Sequence, residues 1–311
     1  MEKIKIPIIS VILSVYKEPL EWIEKSVNSI LTQTFSNFEF IIINDFPARL
    51  ENKELILKFV NNDSRVLYVE NEKNIGLTAS LNKGLDIASG KYIARMDADD
   101  ISVKERFQVQ YDFMEENLDI ILCGSNAHLI NEEGIRIGEL LYPSDSIDIK
   151  ETLILKNCLA HPTFFYRKSI IDKYNIRYSE EYPYAEDYHF LTKLIFKGKF
   201  FNFEKKLLYY RKSNIQIGQR RITEQNITAN KVRKQYVKAL IKSEYDIDVH
   251  SECLYNTLLK ISKSKSPNKI LINSRLSFLL YFGQSSLKER LSAILSFNYS
   301  VVNSLRLLLN K

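Results

Sequence analysis

Four short β-branched runs, each separated from the next by a stretch with helical spacing, fill the first hundred residues. The runs are residues 8–15, 38–43, 66–69 and 92–96. Between the first two, Trp22, Ile23, Val27, Ile30 and Leu31 recur at helical spacing after Pro19. Residues 55–60 and 77–88 have the same character, the latter with Gly90 as a candidate C-cap. This alternation predicts a parallel sheet with crossover helices. In such sheets the ligand crevice lies at the carboxyl ends of the strands. Two of these ends carry acid: Asp45 after the second run, and Asp97-Ala98-Asp99-Asp100 after the fourth.

Further along, Ser102 and Glu105 have the spacing of a capping box. Strand-like runs follow at 120–123, near His128, at 161–166 and at 207–210, with a helix expected over 188–196. From Ile222 onward the character is helical. Leu287, Leu291, Ile294, Leu295, Val302, Leu305 and Leu309 share one helical face, with Lys288, Arg290 and Arg306 among them. A chain of 311 residues suits one large domain or one large and one small. The expected division is an α/β catalytic domain over 1–221 and a helical region over 222–311, serving as a cap, a dimer interface or a membrane-face contact.

Composition narrows the function classes. Three cysteines, at 123, 158 and 253, cannot all pair and lack metal-ligand spacing, so reduced thiols in a cytosolic setting are expected. No signal-peptide pattern and no charge-free apolar run of spanning length is visible. Net charge is +6, but residues 197–242 hold thirteen basic against two acidic side chains, so the positive charge is local and calls for a local anion. No Gly-x-Gly-x-x-Gly follows the first strand, and neither a Walker loop nor a nucleophile elbow is present. Those absences disfavour dinucleotide oxidoreductases, P-loop enzymes and serine hydrolases.

The candidate chemistry lies in a few residues, each with a plainer alternative. Asp97 and Asp99, one residue apart after a strand, can share a hard divalent cation that retains open positions for phosphate. Alternatively they form an acidic loop ahead of the next helix. Asp45 can accept a hydrogen bond from a base or ribose, or shape a turn. Glu186-Asp187 can supply a general base or cap a helix. His161 can contact substrate or hold local structure. Arg211 can grip a diphosphate or belong to a solvated basic face.

The order of these pieces carries more information than any one of them. Residues 9–19 (ISVILSVYKEP), 39–46 (EFIIINDF), 71–100 (NEKNIGLTASLNKGLDIASGKYIARMDADD), 161–169 (HPTFFYRKS), 184–190 (YAEDYHF) and 207–211 (LLYYR) together resemble family 2 glycosyltransferases of the bacterial surface-polysaccharide and lipopolysaccharide branch. The resemblance covers roughly residues 6–215. It implies the GT-A fold, a Rossmann-like, mostly parallel sheet with flanking helices, here followed by a helical C-terminal region. It implies inverting transfer of a hexose or N-acetylhexosamine from a UDP-sugar, with Mn²⁺ or Mg²⁺, to a glycan or lipid-linked oligosaccharide. Residue by residue, Asp45 matches the uracil-binding position, and Asn74 and Arg95 match positions of the nucleotide-sugar pocket. Asp97 and Asp99 match the metal motif, Asp187 the catalytic base, and Glu186 and His161 the acceptor side.

Three departures from the family pattern stand out. The first strand runs into Ser14-Val15-Tyr16-Lys17, Phe46-Pro47 follows Asp45, and Ser213 stands where many relatives have His. A sugar-1-phosphate nucleotidyltransferase is a second reading. It would normally need a Gly-rich loop after the first strand, and residues 14–20 contain no glycine. A basic nucleic-acid-binding module over 197–242 is a third, disfavoured by the acidic strand ends. The expected location is the cytoplasm, with peripheral contact to an anionic membrane or self-association through the C-terminal helices.

Overall fold

A computed structural model describes residues 6–213 and 221–245. The four runs become strands β1 (Ile9–Val15), β2 (Phe38–Asn44), β3 (Val66–Glu70) and β4 (Tyr92–Asp97), joined in parallel in the order β3-β2-β1-β4. Helices α1 (Leu20–Leu31), α2 (Leu50–Asn62) and α3 (Leu77–Ile87) make the crossovers. β1 is covered on both faces, and its apolar residues are fully or almost fully buried, which explains its unbroken apolar run. α1 buries Ile23, Val27 and Ile30, spaced four and three residues apart.

Beyond β4 the sheet becomes mixed. β5 (Ile101–Ser102) and α4 (Arg106–Glu116) lead into a single long strand, β6 (Ile120–Ile130), and its hairpin partner β7 (Arg136–Leu140). After α5 (Ser146–Thr152), β8 (Phe165–Arg167) runs antiparallel to both β4 and β6. α6 (Lys168–Lys173) and α7 (Glu186–Leu194) precede β9 (Lys199–Arg211), which lies parallel to β6 and antiparallel to β5. α8 covers Ile222–Tyr245.

Several local expectations change. α3 ends at Ala88, and Gly90 is no C-cap. A Cβ on Gly90 would stand 2.6 Å from Ser10 N and 2.8 Å from Ile9 C, so glycine is there to let two backbones approach. Ser102 pairs in β5 with Leu208 and caps nothing, while α4 starts after Glu105 without a side-chain cap. Residues 161–163 form a 3₁₀ turn, and only Phe165–Arg167 is strand. The two runs around 120–130 are one strand.

The chain divides into two compact units: residues up to 150 with 157–232, and residues 151–156 with those from 233 on. In the second unit Arg233 Nη1 donates to Leu155 O at 2.8 Å. The sheet and every candidate residue lie in the first. Cys253 and the apolar face from Leu287 to Leu309 lie outside the described residues. Cys123 and Cys158 are buried thiols.

Candidate active site

Strand register brings the two acidic ends together. Asp97 is the partner of Ser14 on β1, and Asn44 is the partner of Val15 on its other side. The Asp45 N–H donates to Val15 O at 2.8 Å. Asp45 and Asp97 therefore leave the same sheet edge on either flank of β1.

Asp97, Asp99 and Asp100 present carboxylate oxygens that lie within 4.8 Å of one another. Arg95, buried two residues earlier on β4, forms an ion pair with Asp97. Asp100 is 1% exposed, and its Oδ2 is buried without a hydrogen-bond partner. Burial, and then the charges of Asp99 and Asp97, push the Asp100 carboxyl well above the usual range. Three clustered carboxylates with an orphaned oxygen are a donor set that suits a hard divalent cation.

Arg211 closes this loop from the end of β9. Its Nε donates to Asp99 O at 2.7 Å, and its Nη1 to Asn131 O and Glu132 O at 2.9 Å each. The guanidinium also stacks 4.7 Å above Trp22. It is 1% exposed, so it binds main chain rather than standing on a solvated face. The wider basic segment is likewise no single free face. Lys199 pairs with Asp119 at 2.8 Å, Lys206 with Glu139 at 3.1 Å and Arg221 with Glu224 at 2.7 Å.

The second acidic group sits in the first turn of α7. Asp187 Oδ2 accepts from Asn157 Nδ2 at 2.7 Å, and Oδ1 from the Tyr188 N–H at 2.6 Å. Burial is the main force raising both acids, Glu186 to about 7 and Asp187 to about 6. Asp97 raises both further and Arg95 lowers both, so the pair lies in the field of the first cluster. Two residues upstream, Tyr184 has φ +64°, an uncommon conformation for a bulky residue. Gln225 Nε2 on α8 holds Tyr184 O at 2.9 Å.

His161 is buried, and its Nε2 shares a 3.0 Å hydrogen bond with the Tyr178 hydroxyl. Burial, and then the charge of Arg95, hold it well below the usual histidine range, so it is a neutral ring. Asn74 is exposed on the loop before α3. Beneath it, Asn71 is buried against Asp45, Ser80 and Lys83. Asn71, Asn157 and Arg106 were not among the expected site residues. Arg106 is fully buried under the acidic loop and donates to Arg95 O at 2.9 Å. Nothing in the sequence distinguishes these three from ordinary polar side chains, because their partners are distant in the chain.

The family described as "Glycosyl transferase family 2" matches residues 10–175, more than half of the chain. The chain belongs to this family. An uncharacterized glycosyltransferase of Haemophilus influenzae is 32% identical over 276 residues, covering 85% of this chain and 83% of that protein. The O-antigen biosynthesis glycosyltransferase WbnJ of Escherichia coli is 39% identical over 166 residues, covering 53% of this chain and 63% of WbnJ. Among solved structures, S. aureus TarS 1–349 in complex with UDP-GlcNAc superposes with a TM-score of 0.57 at 17% identity, covering 87% of this chain and 83% of that one. That likeness concerns the fold, and it agrees with a GT-A type α/β sheet with flanking helices. Within this glycosyltransferase, the family match takes in both acidic strand ends and His161, while Asp187 and Arg211 lie beyond it. Among the described residues no helix is long and apolar enough to cross a membrane.

Proposed function

We propose that this glycosyltransferase moves a hexose or N-acetylhexosamine from a UDP-sugar to a hydroxyl of a surface-glycan acceptor, with inversion at the anomeric carbon. The observation that carries the reading is the meeting of two acidic groups in one field. The Asp97–Asp99–Asp100 cluster follows β4, and Glu186-Asp187, raised by burial, feels both Asp97 and Arg95.

Asp187 is the base. Its raised affinity for a proton suits it to take one from the acceptor hydroxyl as that oxygen attacks the anomeric carbon and the bond to the diphosphate breaks. Asn157 orients the carboxylate from one side and the α7 backbone from the other. Glu186 and neutral His161 serve the acceptor side. Arg95 pairs with Asp97, and Asp45 and Asn74 belong to the nucleotide end of the sheet. Asp97 and Asp99, with Asp100 beside them, would hold Mn²⁺ or Mg²⁺, which when bound supplies Lewis acidity for the departing diphosphate. Arg211 fixes the loop that carries these acids. The likeness to an O-antigen biosynthesis glycosyltransferase supports a surface glycan as acceptor.

Calorimetric titration of UDP in Mn²⁺ and then in EDTA, with Asp99→Asn beside it, tests the reading. Metal-dependent binding that disappears in Asp99→Asn is expected. Absence of UDP binding in every condition would sink the uridine-dependent version.

A further inference from the structure

One face of α1 carries Trp22, Ser26 and Ser29, and the same spacing continues to Gln33, two residues past the end of the helix. Beside the apolar stripe of Ile23, Val27 and Ile30, the buried polar side chains of Ser26, Ser29 and Gln33 are destabilising unless they are hydrogen-bonded. All three direct hydrogen bonds to the acidic loop or its flanks. Ser26 Oγ donates to Asp97 O at 2.7 Å, where the loop leaves β4. Ser29 Oγ accepts from the Ser102 N–H at 2.9 Å, where the loop ends in β5, and donates to Ser26 O at 2.6 Å. Gln33 Nε2 donates to Val103 O at 2.8 Å and to Ser29 O at 2.9 Å. Its Oε1 accepts from the Phe107 N–H at 3.0 Å. Phe107 is the second residue of α4, which has no side-chain cap of its own, so Gln33 satisfies one of the N–H groups that a helix start leaves open. Arg211, which holds Asp99 O and the Asp100 carboxylate from β9, stacks on Trp22 of the same α1 face.

We infer that this face of α1 is the template that sets the geometry of the acidic loop, with Ser26, Ser29 and Gln33 as positioning residues for its metal-binding carboxylates. The inference rests on the proposed metal site. The hydrogen bonds from α1 go to main chain at both ends of the stretch that carries Asp97, Asp99 and Asp100, and not to the acids themselves. Three carboxylates within 4.8 Å of one another repel, so the loop would spread without a fixed backbone. A site whose backbone is fixed in advance takes up an ion with little reorganisation. Packing alone would be served at these positions by alanine and leucine, as it is by Ile23, Val27 and Ile30 on the neighbouring stripe.

The test uses the full chain with Ser26→Ala, Gln33→Met and, as a destabilised control away from the loop, Gly90→Ala, which crowds the start of β1. Mn²⁺ binding is read from the spin resonance of the free ion, and hydrogen exchange at Ser102 is followed in metal-free protein. Both α1 variants leave Ser29 Oγ, the acceptor of the Ser102 N–H, in place, so exchange there reports the loop and not a deleted bond. Each α1 variant should weaken Mn²⁺ binding by about three- to tenfold, the range of one net hydrogen bond. Each should also accelerate exchange at Ser102 by more than Gly90→Ala does. Gly90→Ala should melt lower yet bind Mn²⁺ within about twofold of wild type, as expected for a distant site. Unchanged Mn²⁺ affinity in both α1 variants would overturn the inference. So would an equal loss in Gly90→Ala, because the effect would then be one of general stability. Should Gln33→Met not fold, Ser26→Ala decides alone. If the wild type takes up no Mn²⁺, the metal reading fails by itself, and the exchange arm still decides whether α1 holds the loop: unchanged exchange at Ser102 in the α1 variants overturns that too.

Discussion

The main-chain N–H of Arg211 donates to Asp100 Oδ1 at 2.7 Å, so the end of β9 fixes the acid that follows β4, 111 residues away in the chain. The Arg211 side chain then takes Asp99 O, Asn131 O and Glu132 O. Lysine keeps the charge but lacks the planar fork that reaches three carbonyls. Arg211→Lys should therefore weaken Mn²⁺ binding at least severalfold, measured by calorimetry or by the spin resonance of free Mn²⁺. Arg211→Ala should also cost a few kcal/mol of stability in a denaturant melt, because buried carbonyls lose their donors.

Asp187→Asn should reduce kcat by about 10²- to 10⁴-fold, the usual range for loss of a general base, while metal-dependent UDP binding persists. Asn157→Ala, which removes the 2.7 Å hydrogen bond to Asp187 Oδ2 and also the acceptor of the Leu159 N–H, should give a smaller loss of kcat. Steady-state kinetics beside UDP calorimetry separates the two effects.

The pH profile should show an acid limb near 6, because Asp187 must be ionised to accept a proton and burial raises it to about 6. Stability moves the opposite way. Folding raises the pKa of both Glu186 and Asp187, so their contribution is complete below the ordinary carboxylate range and is lost as pH rises through about 6 and 7. Asp187→Asn should flatten that part of the stability profile in chemical denaturation followed upward from about pH 4, the ordinary carboxylate value.

Gly90→Ala should destabilise the sheet by about 1–3 kcal/mol, the usual cost of overpacking. The added Cβ would meet Ser10 N at 2.6 Å, and backbone cannot swing aside as a flexible side chain can. A thermal melt several degrees below wild type is the expected readout. An unchanged melting temperature would contradict the close approach of Gly90 to β1.

Much of the catalytic half was legible locally. The buried strands announce themselves as β-branched runs, and the acids stand next to them in sequence, so Asp45 and Asp97 could be assigned to one sheet edge before any coordinates. The short strands of the mixed half were harder. β5 has two residues and β8 three, too few for a period, and both exist because neighbours pair with them. The reading of Gly90 as a cap failed for a related reason. A glycine after a helix looks the same whether it serves a turn or a close approach, and only β1 packed against it distinguishes the two.

The sequence by itself determined the alternation of strand and helix, the acids at the strand ends and the family pattern, because each is written in neighbouring residues. Tertiary structure decided what those residues touch. It buried Arg211 as a clamp on the main chain, held Asp45 against Asn71 and the residues before α3, and put Asp187 in the field of Asp97 and Arg95. The physical reason is that hydrogen bonding and charge act through space, and these partners come together only when the sheet brings distant segments to one edge.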